Sequence, residues 1–311
     1  MKKETDPIQM DEQNLSQIAL GDKQYQHVKT REYTPVSVYK GVGEFLRIGP
    51  QGLIAPELAL HKKLLGYGFP VPGIVAEGEK NGKTYYIEQS LGDELLGDIF
   101  WEDCKRDGRI SDEHFNSLLT VAEKFAQAQL KTASDDKDDE GLYIGLHMDY
   151  IQDELPDFKP EILTAFEKMK ARTAAMPTVL THGDFNAYNL FESGIIDFGS
   201  IHNGPAGYDI VNNIYHTYNF PNTGDYESMR RYQFTPEQIK QYFASMDGIY
   251  TQAGLPKVTD FREDFIWAKS VWSTTRMQRY PKLQQWRYDK FKKMTGEYLN
   301  DQPIIKTALE F

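Results

Sequence analysis

The chain has 311 residues, which at about 150 residues per domain suggests two domains or one bilobal unit. With 40% hydrophobic and 26% charged residues it is neither a disordered nor a collagen-like polymer, and a net charge of −11 argues against non-specific nucleic-acid binding, which needs clustered Lys and Arg. One cysteine, Cys104, allows no disulfide framework, the polar start from Met1 to Asp6 has no secretory core, and no run of about 18 apolar residues suggests a membrane span. The expectation is a soluble, cytoplasmic protein whose partners include neither nucleic acid nor membrane.

Residues 1–22 read as a polar N-terminal extension, with Leu15, Ile18, Ala19 and Leu20 spaced for one or two helical turns. Tyr25–Lys29 and Val36–Tyr39 are short and rich in β-branched or aromatic residues, and Gly41-Val42-Gly43 is the turn into a returning strand, Glu44–Ile48. The period then changes. Ile54–Leu65 is helical, with Pro56 near its start and Gly66 just past its end. Val71–Ala76 and Thr84–Glu88 return to strand character around an Asn81-Gly82 turn. Residues 23–91 thus predict a small β-rich lobe with one helix, ending in a connector at Glu88–Gly92.

Residues 92–311 predict a larger, mainly helical lobe. Phe115, Leu118, Leu119, Ala122, Phe125, Ala126 and Leu130 mark an amphipathic helix, and the acidic run at 135–140 reads as a solvated loop. A short strand at Val179–Thr181 precedes the segment LTHGDFNAYNLFESGIIDFG, residues 180–199. It supplies Asp184, Asn189 five residues on, and Asp197 eight residues after that, each beside a short apolar stretch. Any one of them alone would be an ordinary turn residue. Together at one edge, Asn189 and Asp197 suit magnesium, which takes one or two carboxylates plus phosphate oxygens. Asp184 is left as a carboxylate able to accept a proton from an attacking hydroxyl. His182 reads as a hydrogen-bonded structural residue.

The order Asp-x-x-x-x-Asn followed by Asp-Phe-Gly resembles the catalytic segment of the eukaryotic-like kinases, and His182-Gly183-Asp184 is similar to the aminoglycoside phosphotransferase and choline kinase branch. That resemblance implies an α+β, bilobal protein-kinase-like fold and an ATP-dependent (or GTP-dependent) kinase of a small molecule, with Mg2+ on the phosphates. It implies Asp184 as the catalytic residue, Asn189 and Asp197 as metal ligands, and Arg47 on the nucleotide phosphates with Glu57 as its partner. Adenine would meet backbone groups of Glu88, Gln89 and Ser90. Two departures stand out. Asn186 occupies the place where protein kinases carry a Lys, and the first hairpin tip, Thr30-Arg31-Glu32-Tyr33-Thr34, has no glycine-rich pattern.

Asp209, after Gly204-Pro205-Ala206-Gly207-Tyr208, reads either as a support behind the catalytic loop or as a helix N-cap. Tyr215, Tyr218, Phe220, Tyr226, Trp267, Trp272, Tyr280 and Trp286 fall where the family builds its acceptor site, although most aromatics at helical spacing are core. With Asp225, Glu227 and the acidic composition they suggest a cationic hydroxyl compound, an amino-sugar or amino-alcohol; a neutral sugar or homoserine-type acceptor is the alternative. A protein kinase is disfavoured because no Ala-Pro-Glu follows Phe198-Gly199. A non-catalytic nucleotide-binding module is the rival from another class.

Overall fold

The structure, a computed structural model, describes residues 16–31, 34–222 and 224–310. Most of the expected N-terminal extension, and Glu32 and Tyr33 of the hairpin tip, lie outside those residues. The described residues fall into two compact units: those up to Lys63 with Pro72–Ser90, and Leu64–Val71 with those from Leu91 onward.

The first unit is built on strands β1 (Gln17–Leu20), β2 (Lys23–Thr30), β3 (Ser37–Lys40) and β4 (Glu44–Gly49), then helix α1 (Gln51–Tyr67) as far as Lys63, β5 (Ile74–Lys80) and β6 (Lys83–Gln89). They form one antiparallel sheet in the order β1-β2-β3-β4-β6-β5. Ile18 to Leu20 are therefore strand, not the helical turns their spacing suggested; Ile18 pairs with Tyr25 and is buried with it. Alternation sends Tyr25, Tyr39, Leu46, Ile48 and Ile87 into one cluster, and Val36 and Tyr86 into another with Ile54 and Leu58 of α1.

Helix α1 extends past both expected ends. It starts at Gln51, where Leu53 and Ile54 N–H groups donate to Pro50 O at 3.0 and 3.1 Å, so Pro56 lies inside it. Gly66 is also inside; the stop is Gly68, at φ 82°. Strand β5 begins three residues later than expected, at Ile74, because Pro70 and Pro72 withhold ladder donors.

The second unit carries α2 (Leu96–Asp107), α3 (Asp112–Leu130), α4 (Asp139–Gly145), α5 (Met148–Glu154) and α6 (Lys159–Arg172), then β7 (Thr178–Thr181), β8 (Leu190–Phe191), β9 (Gly194–Ile195) and β10 (His202–Pro205). Helices α7 (Tyr208–Tyr215), α8 (Pro236–Gln252), α9 (Arg262–Thr274), α10 (Pro281–Leu299) and α11 (Ile305–Glu310) complete it. The Ser111 hydroxyl caps α3 by accepting from His114 N, and of the predicted stripe Phe115, Leu118, Ala122, Phe125 and Ala126 are buried while Leu119 is half-buried. The acidic run is not simply a loop: Asp138 caps α4 and accepts from Asn203 Nδ2 at 2.8 Å, while Asp139 pairs with Lys170 at 2.7 Å. Strand β7 pairs with β10, and β8 with β9, so the segment between β7 and β10 folds back on itself at a fixed place. Among the described residues, no helix is long and apolar enough to cross a membrane.

Candidate active site

The loop that follows β7 is held from beneath by a buried carboxylate. Asp209 accepts from His182 N at 2.8 Å, Gly183 N at 3.0 Å and Gln129 Nε2 at 2.8 Å, three neutral donors sharing one charge. Gly207, not Asp209, is the N-cap of α7, so of the two readings of Asp209 the loop support is the one observed. His182 is buried, and burial lowers its pKa. Its tautomer follows from its neighbours: Nε2 donates to Ile196 O at 2.9 Å, and Nδ1 accepts from Asp184 N at 3.2 Å.

Gly183 stands at φ 78°, and a Cβ there would lie 2.2 Å from Ser200 O. Gly183→Ala combines a left-handed penalty of about 1–2 kcal/mol with that overlap. Thermal melts should show it several degrees below wild type; an unchanged melting temperature would mean the loop relaxes freely.

The loop brings together two of the three expected polar residues directly. Asn189 Nδ2 donates to Asp184 O at 2.8 Å and to Oδ2 at 3.3 Å, which leaves its amide oxygen as the group the loop does not use. Asn186 caps the short turn at 187–189, accepting from Tyr188 N, and donates from Nδ2 to Asp184 O and Oδ1, both at 3.0 Å. Asp197 is exposed and follows β9; its neighbour Ile196 donates from N to Asn189 O at 3.0 Å, tying the two candidate metal ligands through the backbone. Among the described residues no group of three or more His, Cys, Asp or Glu converges on a metal position. One amide and one carboxylate are oxygen donors of the kind Mg2+ takes, with phosphate and water in its remaining positions.

One residue at this site escaped the sequence reading. Lys269 of α9 is 4% exposed, and its Nζ donates to Gly183 O at 2.8 Å and Asp184 Oδ1 at 3.2 Å. Burial would raise the Asp184 carboxyl, but the Lys269 ammonium, with His216 and His182, holds it down to about 2. Lys269 lies four residues after Phe265 and three before Trp272, on one helical face; a Lys set between aromatics at that spacing was the available signal.

In the first unit Arg47 and Glu57 come together as expected, at 3.3 Å, but the nearer partner of Arg47 is Glu88, at 2.8 Å from Nε. Glu57 is gripped more firmly by Arg31, at 2.7 and 2.9 Å, and by the Tyr86 hydroxyl at 2.8 Å. Burial would raise the Glu57 carboxyl, and these donors together with Arg47 lower it. Glu88, Gln89 and Ser90, expected to offer backbone groups to adenine, stand at the end of β6 and just past it. Glu88 lies on a central strand between β4 and β5 and spends its side chain on Arg47. Gln89 N donates to Gly73 O at 2.8 Å and Ser90 N to Gly43 O at 2.9 Å. Arg47→Ala would leave Glu88, 6% exposed, without its close partner. A loss of about 3 kcal/mol is expected, partly regained in Arg47→Ala/Glu88→Gln. If denaturant melts of the single and double variants coincide, the pair carries no such weight.

Tyr215, Tyr218, Trp267 and Trp272 are buried, as packing aromatics should be, and the Trp272 ring already has Lys269 Nζ at 3.5 Å and the Arg276 guanidinium at 3.9 Å. Asp225 and Glu227 are exposed, with Asp225 3.5 Å from Lys282. Cys104 is half-buried and burial raises its thiol pKa, as for an ordinary small residue.

Several solved structures are similar to this chain. A choline/ethanolamine kinase family protein from Mesorhizobium loti is 14% identical over 91% of this chain and 90% of its own, with a TM-score of 0.52. An aminoglycoside-3'-phosphotransferase of type VIII is 15% identical, covering 78% and 93% of the two chains at a TM-score of 0.44. An aminoglycoside phosphotransferase from Streptomyces rimosus, in complex with ADP and streptomycin, is 10% identical over 80% and 92%, at 0.46. No curated protein matches the sequence. The likeness to the Mesorhizobium protein is one of fold, and that fold is the mixed α+β, protein-kinase-like one. The model of the phosphotransferase enzyme family matches residues 39–242, more than half the sequence and the whole of the loop just described, and on that ground the chain belongs to the phosphotransferase enzyme family.

Proposed function

We propose that this chain is a cytoplasmic kinase that transfers the γ-phosphoryl group of ATP to a hydroxyl of a small polar molecule. The observation that carries the reading is the Asp184 carboxylate, held between Asn186, Asn189 and Lys269 on a loop anchored by buried Asp209. In the reaction the acceptor oxygen forms a bond to the γ-phosphorus while the bond to the bridging oxygen breaks, and ADP leaves with that electron pair. The hydroxyl proton passes to Asp184. A carboxyl held near 2 is a weak base, which suits a loose transition state where the proton leaves late and orientation matters most. Bound by Asn189 and Asp197, Mg2+ would neutralise phosphate charge. Arg47, whose Nη2 has no hydrogen bond among the described residues, would contact the phosphates.

The acceptor's charge is a finer question. A cationic acceptor drew support from Trp272 and Asp225; the first is covered by two of the protein's own cations, and the second is exposed and paired. The neutral hydroxyl compound is accordingly the class we favour. A mass-spectrometric screen with ATP, Mg2+ and matched neutral and amine-bearing hydroxyl compounds tests both points. Phosphorylated neutral acceptors are expected; preferred turnover of amines would reverse the acceptor class, and no product with any hydroxyl would favour a nucleotide-binding module.

A further inference from the structure

The catalytic loop from His182 to Asn189 contains no Lys or Arg, although phosphoryl transfer concentrates negative charge there. Helix α9 brings one cation to it from 85 residues away. Lys269 is almost wholly buried, and its ammonium is surrounded by Gly183 O, Asp184 Oδ1 and the Trp272 ring. Burying an ammonium is costly, and Asp184 does not need it to be satisfied: its Oδ1 already accepts from Asn186 and its Oδ2 from Asn189. A Met of similar length would fill the same space without that cost. What only the ammonium adds is positive charge, fixed against the carboxylate that receives the hydroxyl.

We propose that Lys269 is a positioning residue for phosphoryl transfer, supplying from α9 the cation that the catalytic loop lacks at Asn186 and locking Asp184 toward the acceptor hydroxyl. It grips both the Gly183 carbonyl and the Asp184 carboxylate, so it fixes the peptide and the side chain together. Because Asn186 is occupied in capping the 187–189 turn, the loop position itself is not available to a lysine. The same charge disfavours an acceptor ammonium beside the reacting hydroxyl. The inference rests on the kinase reading above.

The test compares full-length wild type, Lys269→Met, Lys269→Arg and, as a charge control, exposed Lys282→Met. ATP turnover is followed with water as acceptor, MgATP affinity by titration, and folding by thermal melts. Lys269→Met should lose about 10²-fold in kcat while its Kd for MgATP stays within about twofold, with Lys269→Arg recovering at least about tenfold of the loss. Lys282→Met should match wild type. Wild-type turnover in Lys269→Met would overturn the proposal. So would a parallel loss of affinity, melting temperature and kcat that Lys269→Arg does not relieve, since that pattern marks support of the fold alone. A wild type that neither binds nor hydrolyses ATP would instead remove the kinase reading, and the role of Lys269 with it.

Discussion

Asp184→Asn should turn over at least about 10²-fold more slowly than wild type, because the amide keeps the carboxylate's shape but cannot take the hydroxyl proton. The substitution also reaches into the fold. Oδ1 accepts from Lys269 and Asn186, so the amide must keep its oxygen there and turn its NH2 toward Asn189 Nδ2, donor against donor. Lys269, 4% exposed, then loses its counter-charge, and a stability loss of about 2 kcal/mol is expected for a pair whose carboxylate is partly solvated. These two effects separate cleanly. Asp184→Asn/Lys269→Met removes both charges and should melt close to wild type while staying inactive. If that double variant recovers turnover along with stability, Asp184 serves the fold and not the chemistry.

Much of this molecule was open to inspection along the sequence, where the signal is local. Strands β2 to β4 announce themselves through β-branched and aromatic residues and the Gly41-Val42-Gly43 turn, and the spacing of Asp184, Asn189 and Asp197 survives in one segment of twenty residues. What stayed hidden involves partners distant in sequence or groups without side-chain signature. Arg31 sat in a presumed hairpin tip, yet it grips Glu57 26 residues away. Glu88 was read for its backbone, although register with Arg47's strand decides that its side chain matters. Lys269 drew no reading, because the flanking Phe265 and Trp272 mark an apolar face without revealing that α9 is buried on nearly every side from Asp264 to Thr274. The start of α1 was obscured because its first turn, Gln51-Gly52-Leu53, lacks both an acidic residue and a capping side chain.

Asp197→Ala should abolish the magnesium dependence of ATP binding, a loss on the order of 10²-fold in affinity measured with the metal present. The backbone gives a physical reason to expect function at this residue. Asp197 adopts φ 65° and ψ 61°, a left-handed conformation that costs an L-residue about 1–2 kcal/mol, and it does so at an exposed position where burial returns nothing. Its neighbours enforce the shape: Ile196 O accepts from His182, and the Phe198 ring lies 4.5 Å from that imidazole and 6.0 Å from Phe69. Glycine at this position would relieve the strain, so Asp197→Gly should melt at or above wild type whereas Asp197→Ala melts slightly below it. Both should lose the metal-dependent part of ATP binding equally, because the carboxylate is gone from each. Asn189→Ala should weaken binding less, as an amide completes the metal's shell without neutralising its charge. ATP titrations with and without magnesium on the three variants decide the matter: magnesium dependence equal to wild type in Asp197→Ala and Asp197→Gly would show that the strained carboxylate is not the metal's ligand.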